Sequence, residues 1–594
     1  MGPDPARGGA YTLSASIERF TAHYHERNPV NATFTGVHAH DHRLPDWTRA
    51  GREREIAEQE ALVRDSLLAH PTPMSRWATL ARGRRSEPHV PRYKGPDWRA
   101  LAADPLALDA ALAGSVLAVR TTELDSCHFH DRNPALWTGE AIFGAVSLMI
   151  RPFAPREARL GALEARLTAI PGFLSAMRTG MIGRVPPRWI DRARRECAAA
   201  ARLFDRGLTQ WLEEEPVEPR AADRVRAAGQ EAAKAFARCA VELGTLRVAS
   251  DHEYGIGGVA LDALISDGHW CTESFDVLLR RALGELDVAR ARLDADIREV
   301  IGTPDAFQAA LAADHPDGAS YLRAFADRWD ACRAHAADHD AVQWPEWPIR
   351  YTPIPGWARE AAPHLYWLFY RSPAPFDPYT THEYLVTPID DTVAPEERER
   401  RLRACNHSTI TLNHVVHHGA VGHHVQNWHA THRSRSQIGT IAGVDCASRI
   451  GLFLGGTMTE GWACYATDLM DELGFLSPLE RVAEQQSRVR MLARAVVDIR
   501  LHSHLFSYSE AVAFYRDTVG MSDDAANGEA TKNSMFPATA LMYWLGTQGI
   551  LSLRETMRAR RGAPFSLRAF HDDLLGWGSI PVPLVTRLLT EGDQ

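Results

Sequence analysis

Several features common in proteins of this size are scarce here. The eight cysteines lie scattered through the chain with no C-x-x-C pair among them. That spacing excludes a structural zinc knot and offers no disulfide framework, so it reads as reduced thiols. No stretch approaches the roughly 18 uninterrupted apolar residues of a membrane span. The opening MGPDPARGGAYTLSASIERF lacks the apolar stretch of a signal peptide. Ala6 stands where an N-myristoylation signal has serine or threonine. Basic charge is in deficit, with lysine scarce and a net charge of −9, so neither nucleic acid nor an anionic membrane is an expected partner. These absences together predict a cytoplasmic protein. Period-two alternation is also scarce, and no internal repeat is found.

What remains is helical. A hydrophobic content of 45% over 594 residues is enough for a sizeable core. Apolar residues recur three and four apart over 160–182, before the Pro186–Pro187 break, and over 221–246. The stretch 272–302 reads as a third helix, with a Thr272 N-cap, Asp276 in its early turns and Gly302 at its end. HEYLVTPID (382–390) is the best candidate strand. The Pro- and aromatic-rich segment 339–379 is too apolar for a disordered linker and reads as an ordered connector crossing a cleft. The pattern predicts a mostly α protein with a minor β element. An N-terminal helical lobe would span 1–338, and a C-terminal lobe, 339–594, would carry the chemistry.

That chemistry centres on LNHVVHHGAVGHHVQ (412–426), which holds His414, His417, His418, His423 and His424. Five imidazoles in an otherwise apolar helix would each need a polar partner if buried, which favours a metal site over structural histidines. Two glycines, Gly419 and Gly422, each cost a helix about 1 kcal/mol relative to alanine and predict a kink or bulge. Without it, His417 and His424 would stand about 10 Å apart along the axis, too far to share one ion, whose ligands lie at about 2 Å. A straight helix would instead pair His414 with His418. Spacing alone leaves both arrangements open.

A third ligand is available in GGTMTEGWACYATDLMDELG (455–474), a helix with apolar positions at Met458, Trp462, Tyr465 and Leu469. Glu460 in its first turn reads either as half of a T-x-x-E capping box with Thr457 or as a carboxylate ligand. In RAVVDIRLHSHLF (494–506), Arg494, Asp498 and His502 follow at intervals of four. They make either an ordinary surface pair or an aspartate that orients a proton-donating histidine. The His-rich HFHD (128–131) is a weak signal and is left outside the site.

Three of these stretches, HHGAVGHHVQ, EGWACYA (460–466) and VVDIRLH (496–502), resemble the bacterial family called domain of unknown function 885. That family is itself similar to helical zinc peptidases of the gluzincin type. NPVNATFTGVHAHDHRLPDW (28–47), NPALWTGEAIFGAVSLM (133–149), AIPGFLSAM (169–177) and FPATALMYWLGTQGILSLR (536–554) extend the resemblance over nearly the whole chain. The resemblance implies one continuous family domain with a two-lobed helical metallopeptidase-like fold and a deep cleft. It implies one divalent metal, zinc first, with iron or manganese as alternatives. His417 would be the first ligand, His423 or His424 the second with the H-x-Q ending favouring His424, and Glu460 the third. His502 and Tyr543 would fall near the reacting groups.

The sequence departs from the family pattern H-E-x-x-P-G-H-H-x-Q at two places in this stretch. His418 stands where the family has its general-base glutamate, and Val421 where it has proline. Further on, Lys532 and Asn533 replace Arg–Tyr, which exchanges a planar guanidinium fork for a point charge. The leading expectation is hydrolysis of an amide or peptide-like bond, with His418 as altered base and Lys532 in the catalytic set. The substrate would be a small molecule or short peptide. The alternatives are a non-hydrolytic metalloenzyme and an inactive metal-binding homologue.

Overall fold

The computed structural model describes residues 5–65, 97–214, 217–347, 349–364, 370–371, 374–378, 382–389, 393–443 and 451–592. Parts of the expected connector 339–379, the last residue of the expected strand 382–390 and one cysteine, Cys446, lie outside them.

Helices dominate, as the periodicity predicts, and the long ones bury an apolar face. Helix Arg156–Gly180 precedes the Pro186–Pro187 break, and the next helix, Pro187–Arg202, begins on Pro187. Its buried Trp189, Ile190, Ala193, Cys197 and Ala200 recur at helical spacing along one face. Helix Pro219–Leu243 packs on both of these. Helix Phe275–Val300 has Ser274, not Thr272, at its N-cap position, and Gly302 beyond its end adopts φ +104°. The long helix Pro478–His502 opens on a capping box between Ser477 and Glu480.

The β element is a single three-stranded sheet of β1 (Ile349–Pro353), β2 (Tyr370–Arg371) and β3 (His382–Val386), in the order β1-β3-β2. β3 runs parallel to β1 and antiparallel to β2. The strand expected from alternation is therefore the central one. Its Tyr384 and the Tyr351 of β1 both reach the histidine-rich helix, so the sheet braces the site.

Buried apolar clusters draw on residues from both sides of position 338. One joins Trp137, Trp189 and Phe204 with Leu385, Ala493 and Met535. Another joins Phe20 and Trp329 with Val415, Val416, Val425, Trp462 and Leu588. Burying each such aliphatic side chain stabilises by about 1.5–3 kcal/mol, and Val415, Val416 and Val425 anchor the two halves of the histidine-rich segment in this way. No helix among the described residues is long and apolar enough to cross a membrane.

Candidate metal centre

The histidine-rich segment is not one straight helix. Asn406 caps its start, its side chain accepting from the Thr409 N–H at 2.8 Å. Residues Ile410–Gly419 then wind as a π-helix, a form that recurs at functional sites. The chain folds sharply at Ala420–Gly422 and resumes as helix His423–His432. Gly422 makes the fold tight: its N–H donates to the Val416 carbonyl at 2.9 Å, and a Cβ there would stand 1.8 Å from the His417 carbonyl oxygen. Trp462 pins the turn by donating from Nε1 to the Val421 carbonyl at 2.8 Å.

The fold brings His423 back onto His417. Their ring centres lie 5.0 Å apart, and His418 completes a triangle at 4.7 and 5.2 Å. One ring nitrogen from each of His417, His418 and His423 lies within 4.8 Å of the other two. The straight-helix pairing of His414 with His418 is not formed, because His414 turns its Nδ1 to the Tyr384 hydroxyl at 2.5 Å. His424 is corrected as well. Successive helical residues point about 100° apart, so His424 faces away from its neighbour. It is fully buried, with its ring 4.4 Å from His382 and 6.2 Å from Trp329 and Trp344. His423 is the second imidazole of the cluster.

Glu460 comes from helix Gly456–Glu472. The capping-box alternative is not formed: Thr457 Oγ1 accepts from the Val582 N–H at 3.0 Å instead. Oε2 of Glu460 lies 3.3 Å from His417 Nε2 and 3.6 Å from His423 Nε2, while Oε1 accepts from the Tyr543 hydroxyl at 3.1 Å. Ligands about 2.0–2.1 Å from a tetrahedral ion stand about 3.3 Å from one another, so these separations already match a shared ion. Tyr543 reaches Glu460 because helix Met542–Arg561 crosses Gly456–Glu472 at bare backbone: a Cβ on Gly461 would meet Gly546 Cα at 2.5 Å.

The protonation states suit metal binding. Burial lowers the pKa of His417 and pushes that of His418 well below its ordinary value, which keeps both rings neutral at pH 7. Burial works against the ionised form of Glu460, yet the two imidazoles beside it hold its carboxyl well below the usual range. Metal ligation needs neutral imidazole and ionised carboxylate. Burial and the neighbouring Glu460 keep Tyr543 protonated, with its pKa raised well above the ordinary phenol value.

A cavity of about 500 Å³ opens onto His417, His418, Glu460 and Tyr543. Its opposite wall comes from helix Pro478–His502, which supplies Glu484, Arg488, Arg490 and Arg494. Arg494 makes a two-pronged pair with Glu529 at 2.6 and 2.7 Å, and Arg488 pairs with Asp468. Arg490 has no hydrogen bond or ion pair with any described residue. Burial pushes the Glu484 carboxyl up to about 8, so it holds a proton at neutral pH, and it accepts from Thr467 at 2.9 Å. Lys532 lines the same cavity. Of this wall the sequence pattern marks only Arg494; Arg488 and Arg490 precede it in R-V-R-M-L-A-R, 488–494.

His502 does not belong to this site. Eight residues beyond Arg494, it lies about 12 Å further along the helix, fully buried, with Nε2 2.9 Å from the Asn533 carbonyl and its ring 5.5 Å from His128. Asp498 does not hydrogen-bond it, standing 3.6 Å away. Instead Asp498 accepts the backbone N–H groups of Ala538, Ala540 and Leu541 at 3.0, 2.8 and 3.0 Å. That anchors the chain immediately ahead of Tyr543.

The match to known proteins defines a class without a known activity. Residues 29–589 match the family described as bacterial protein of unknown function (DUF885), and the chain belongs to that family. No curated protein matches it. Solved structures that share its fold include two described as lipoproteins. One is "a putative lipoprotein of unknown function from Shewanella oneidensis", with TM-score 0.70 and 18% identity, covering 97% of this chain and 99% of that one. The other is "the putative lipoprotein from Colwellia psychrerythraea", with TM-score 0.73 and 16% identity, covering 98% of each chain. The cytoplasmic placement expected from the sequence is corrected: both of these structures are described as lipoproteins, and scattered cysteines do not decide a compartment.

Proposed function

We propose that the protein is a metal-dependent hydrolase acting on an amide or peptide-like bond of a small anionic substrate. His417, His423 and Glu460 would hold the ion, zinc being the best match to two imidazoles and a carboxylate. A divalent ion there would polarise a substrate oxygen and acidify a bound water. The convergence of His417 and His423 on Glu460 Oε2 at 3.3 and 3.6 Å, with the two imidazoles themselves within 4.8 Å of each other, carries the reading. The two-lobed, gluzincin-like relationship is part of the same proposal.

The protein's own groups divide the remaining work. Tyr543 orients Glu460 through its hydroxyl and stays protonated, so it can also donate to a developing oxyanion. Arg490 and Lys532 supply positive charge in the cavity wall, suited to a carboxylate on a short peptide or acylated amino acid. Glu484 is a carboxylic acid that still carries its proton near neutral pH, the state required of a proton donor.

A second reading is favoured by one observation: position 418 carries an imidazole rather than the carboxylate base of a zinc peptidase. Two histidines and a carboxylate also suit iron or manganese in lyase, isomerase or oxidative chemistry. The test is metal analysis of natively purified protein, followed by turnover on a panel of short peptides and N-acyl amino acids. Zinc at full occupancy, with hydrolysis lost in His417→Ala and Glu460→Ala, is expected. Iron or manganese with no hydrolysis across the panel would favour the second reading.

A further inference from the structure

We infer that His418 is a third imidazole ligand of the metal, not a substitute base, giving a three-histidine, one-glutamate centre. This inference rests on the metal-centre reading above and goes beyond it, because the zinc-peptidase pattern assigns that position to proton transfer.

Three observations carry it. First, His418 is placed with the ligands as an equal. The ring-centre separations among His417, His418 and His423 are 4.7, 5.0 and 5.2 Å. A nitrogen of each lies within 4.8 Å of the other two. A base would stand behind a metal-bound water, one shell further out than the ligands. Second, the outer ring nitrogen is fixed. Nδ1 of His418 lies 2.6 Å from the Asn413 carbonyl oxygen. A carbonyl only accepts, so Nδ1 carries the proton and Nε2 has the lone pair. Metal-bound histidines are held in this way, the second ring N–H donating to a backbone carbonyl or carboxylate. Third, the backbone that makes the contact is unusual. His418 lies in the last turn of the π-helix, and its Nδ1 reaches back five residues to Asn413. In a π-helix the carbonyl five residues back is the one set beside a residue's own N–H, so the wider winding places the Asn413 carbonyl next to His418.

The consequence is chemical. With His418 spent on the metal, no histidine of the cluster remains to take the proton of an attacking water. Hydrolysis would then depend on acidification of that water by the ion alone, or the centre serves non-hydrolytic chemistry.

X-ray absorption of the zinc- or cobalt-loaded full-length protein counts the imidazoles directly. Three in the wild type and two in His418→Ala are expected, with metal affinity at least tenfold weaker in the variant. Circular dichroism confirms that the variant is folded, and the wild-type count needs no variant at all. Two imidazoles in the wild type, or a His418→Ala protein that binds metal as the wild type does, would overturn the inference. If His417→Ala and Glu460→Ala still abolish binding in that case, the metal centre itself stands. A wild type that binds no zinc, cobalt, iron or manganese would sink both.

Discussion

The Tyr543 hydroxyl donates to Oε1 of Glu460 at 3.1 Å, which leaves Oε2 facing His417 and His423 at 3.3 and 3.6 Å. One oxygen is held and the other is presented. Residues that orient a ligand in this way are typically worth about 10–100-fold in metal affinity or activity. Tyr543→Phe keeps the ring and removes the donor. It is expected to weaken zinc affinity by about that factor while the fold remains intact. Unchanged affinity in a competition titration with a chelator would show that Glu460 is oriented by its helix alone.

Gly422 is the hinge that makes the cluster. A methyl group there would collide with the His417 carbonyl oxygen, so Gly422→Ala must open the turn. Overpacking of this kind costs roughly 1–3 kcal/mol. The displacement also moves His423 away from Glu460. The variant is expected to stay folded, with a lowered urea midpoint, and to lose stoichiometric zinc. Retention of full metal occupancy would mean that the turn has slack.

His502 is fully buried and does not line the cavity. Replacing it with glutamine strips the Asn533 carbonyl of its ring partner and leaves a misfitted polar group, at a cost of about 1–3 kcal/mol. Once a substrate is found, kcat/KM of His502→Gln should stay within about threefold of wild type below the unfolding range. A loss of a hundredfold or more in a folded variant would return His502 to the chemistry.

Stability should fall as the solution is acidified below pH 6.5. His25, His269, His414, His429, His502 and His571 are held down to about 4, and His424 to about 3, in each case mainly by burial. A lowered folded-state pKa means that the unfolded chain binds more protons between about 4 and 6.5. The stability these neutral rings contribute is present above the unfolded value and lost as pH falls through that window. Asp498 and Glu484 oppose the trend, because burial raises them to about 7 and about 8. Two carboxyls do not balance seven imidazoles. His38, raised to about 9 between Asp41 and Asp377 despite the cost of burial, acts at the other end: its contribution is lost as pH rises through about 9. Urea midpoints measured from pH 8 to pH 5 should therefore drop on the acid side. A flat or rising profile would contradict this balance.

Much of this protein was legible in its one-dimensional pattern. Apolar residues at helical spacing located the long helices, and alternation over 382–390 located the central strand, His382–Val386, because both patterns follow from which face of a local element is buried. Gly419 and Gly422 announced a break in the histidine-rich helix, since glycine is costly there without a reason. Glu460 was already a ligand candidate from its local sequence, Tyr543 entered through the family resemblance, and the structure brings them together.

What the sequence could not settle were directions and depths. Whether His423 or His424 joins His417 depends on how the chain re-enters a helix after Gly422, a matter of a rotation of about 100° per residue. Arg494, Asp498 and His502 share a helix face in the sequence, yet of the three only Arg494 lines the cavity, because neighbouring elements cover the other two. The arginine wall opposite the histidines, with Arg490, lies some tens of residues from either ligand segment. Only the packing of helix Pro478–His502 across the cavity gives it a role. Local periodicity is written into the chain because backbone geometry is local; the histidine–glutamate cluster and its cavity are not, because they exist only where distant elements close on one another.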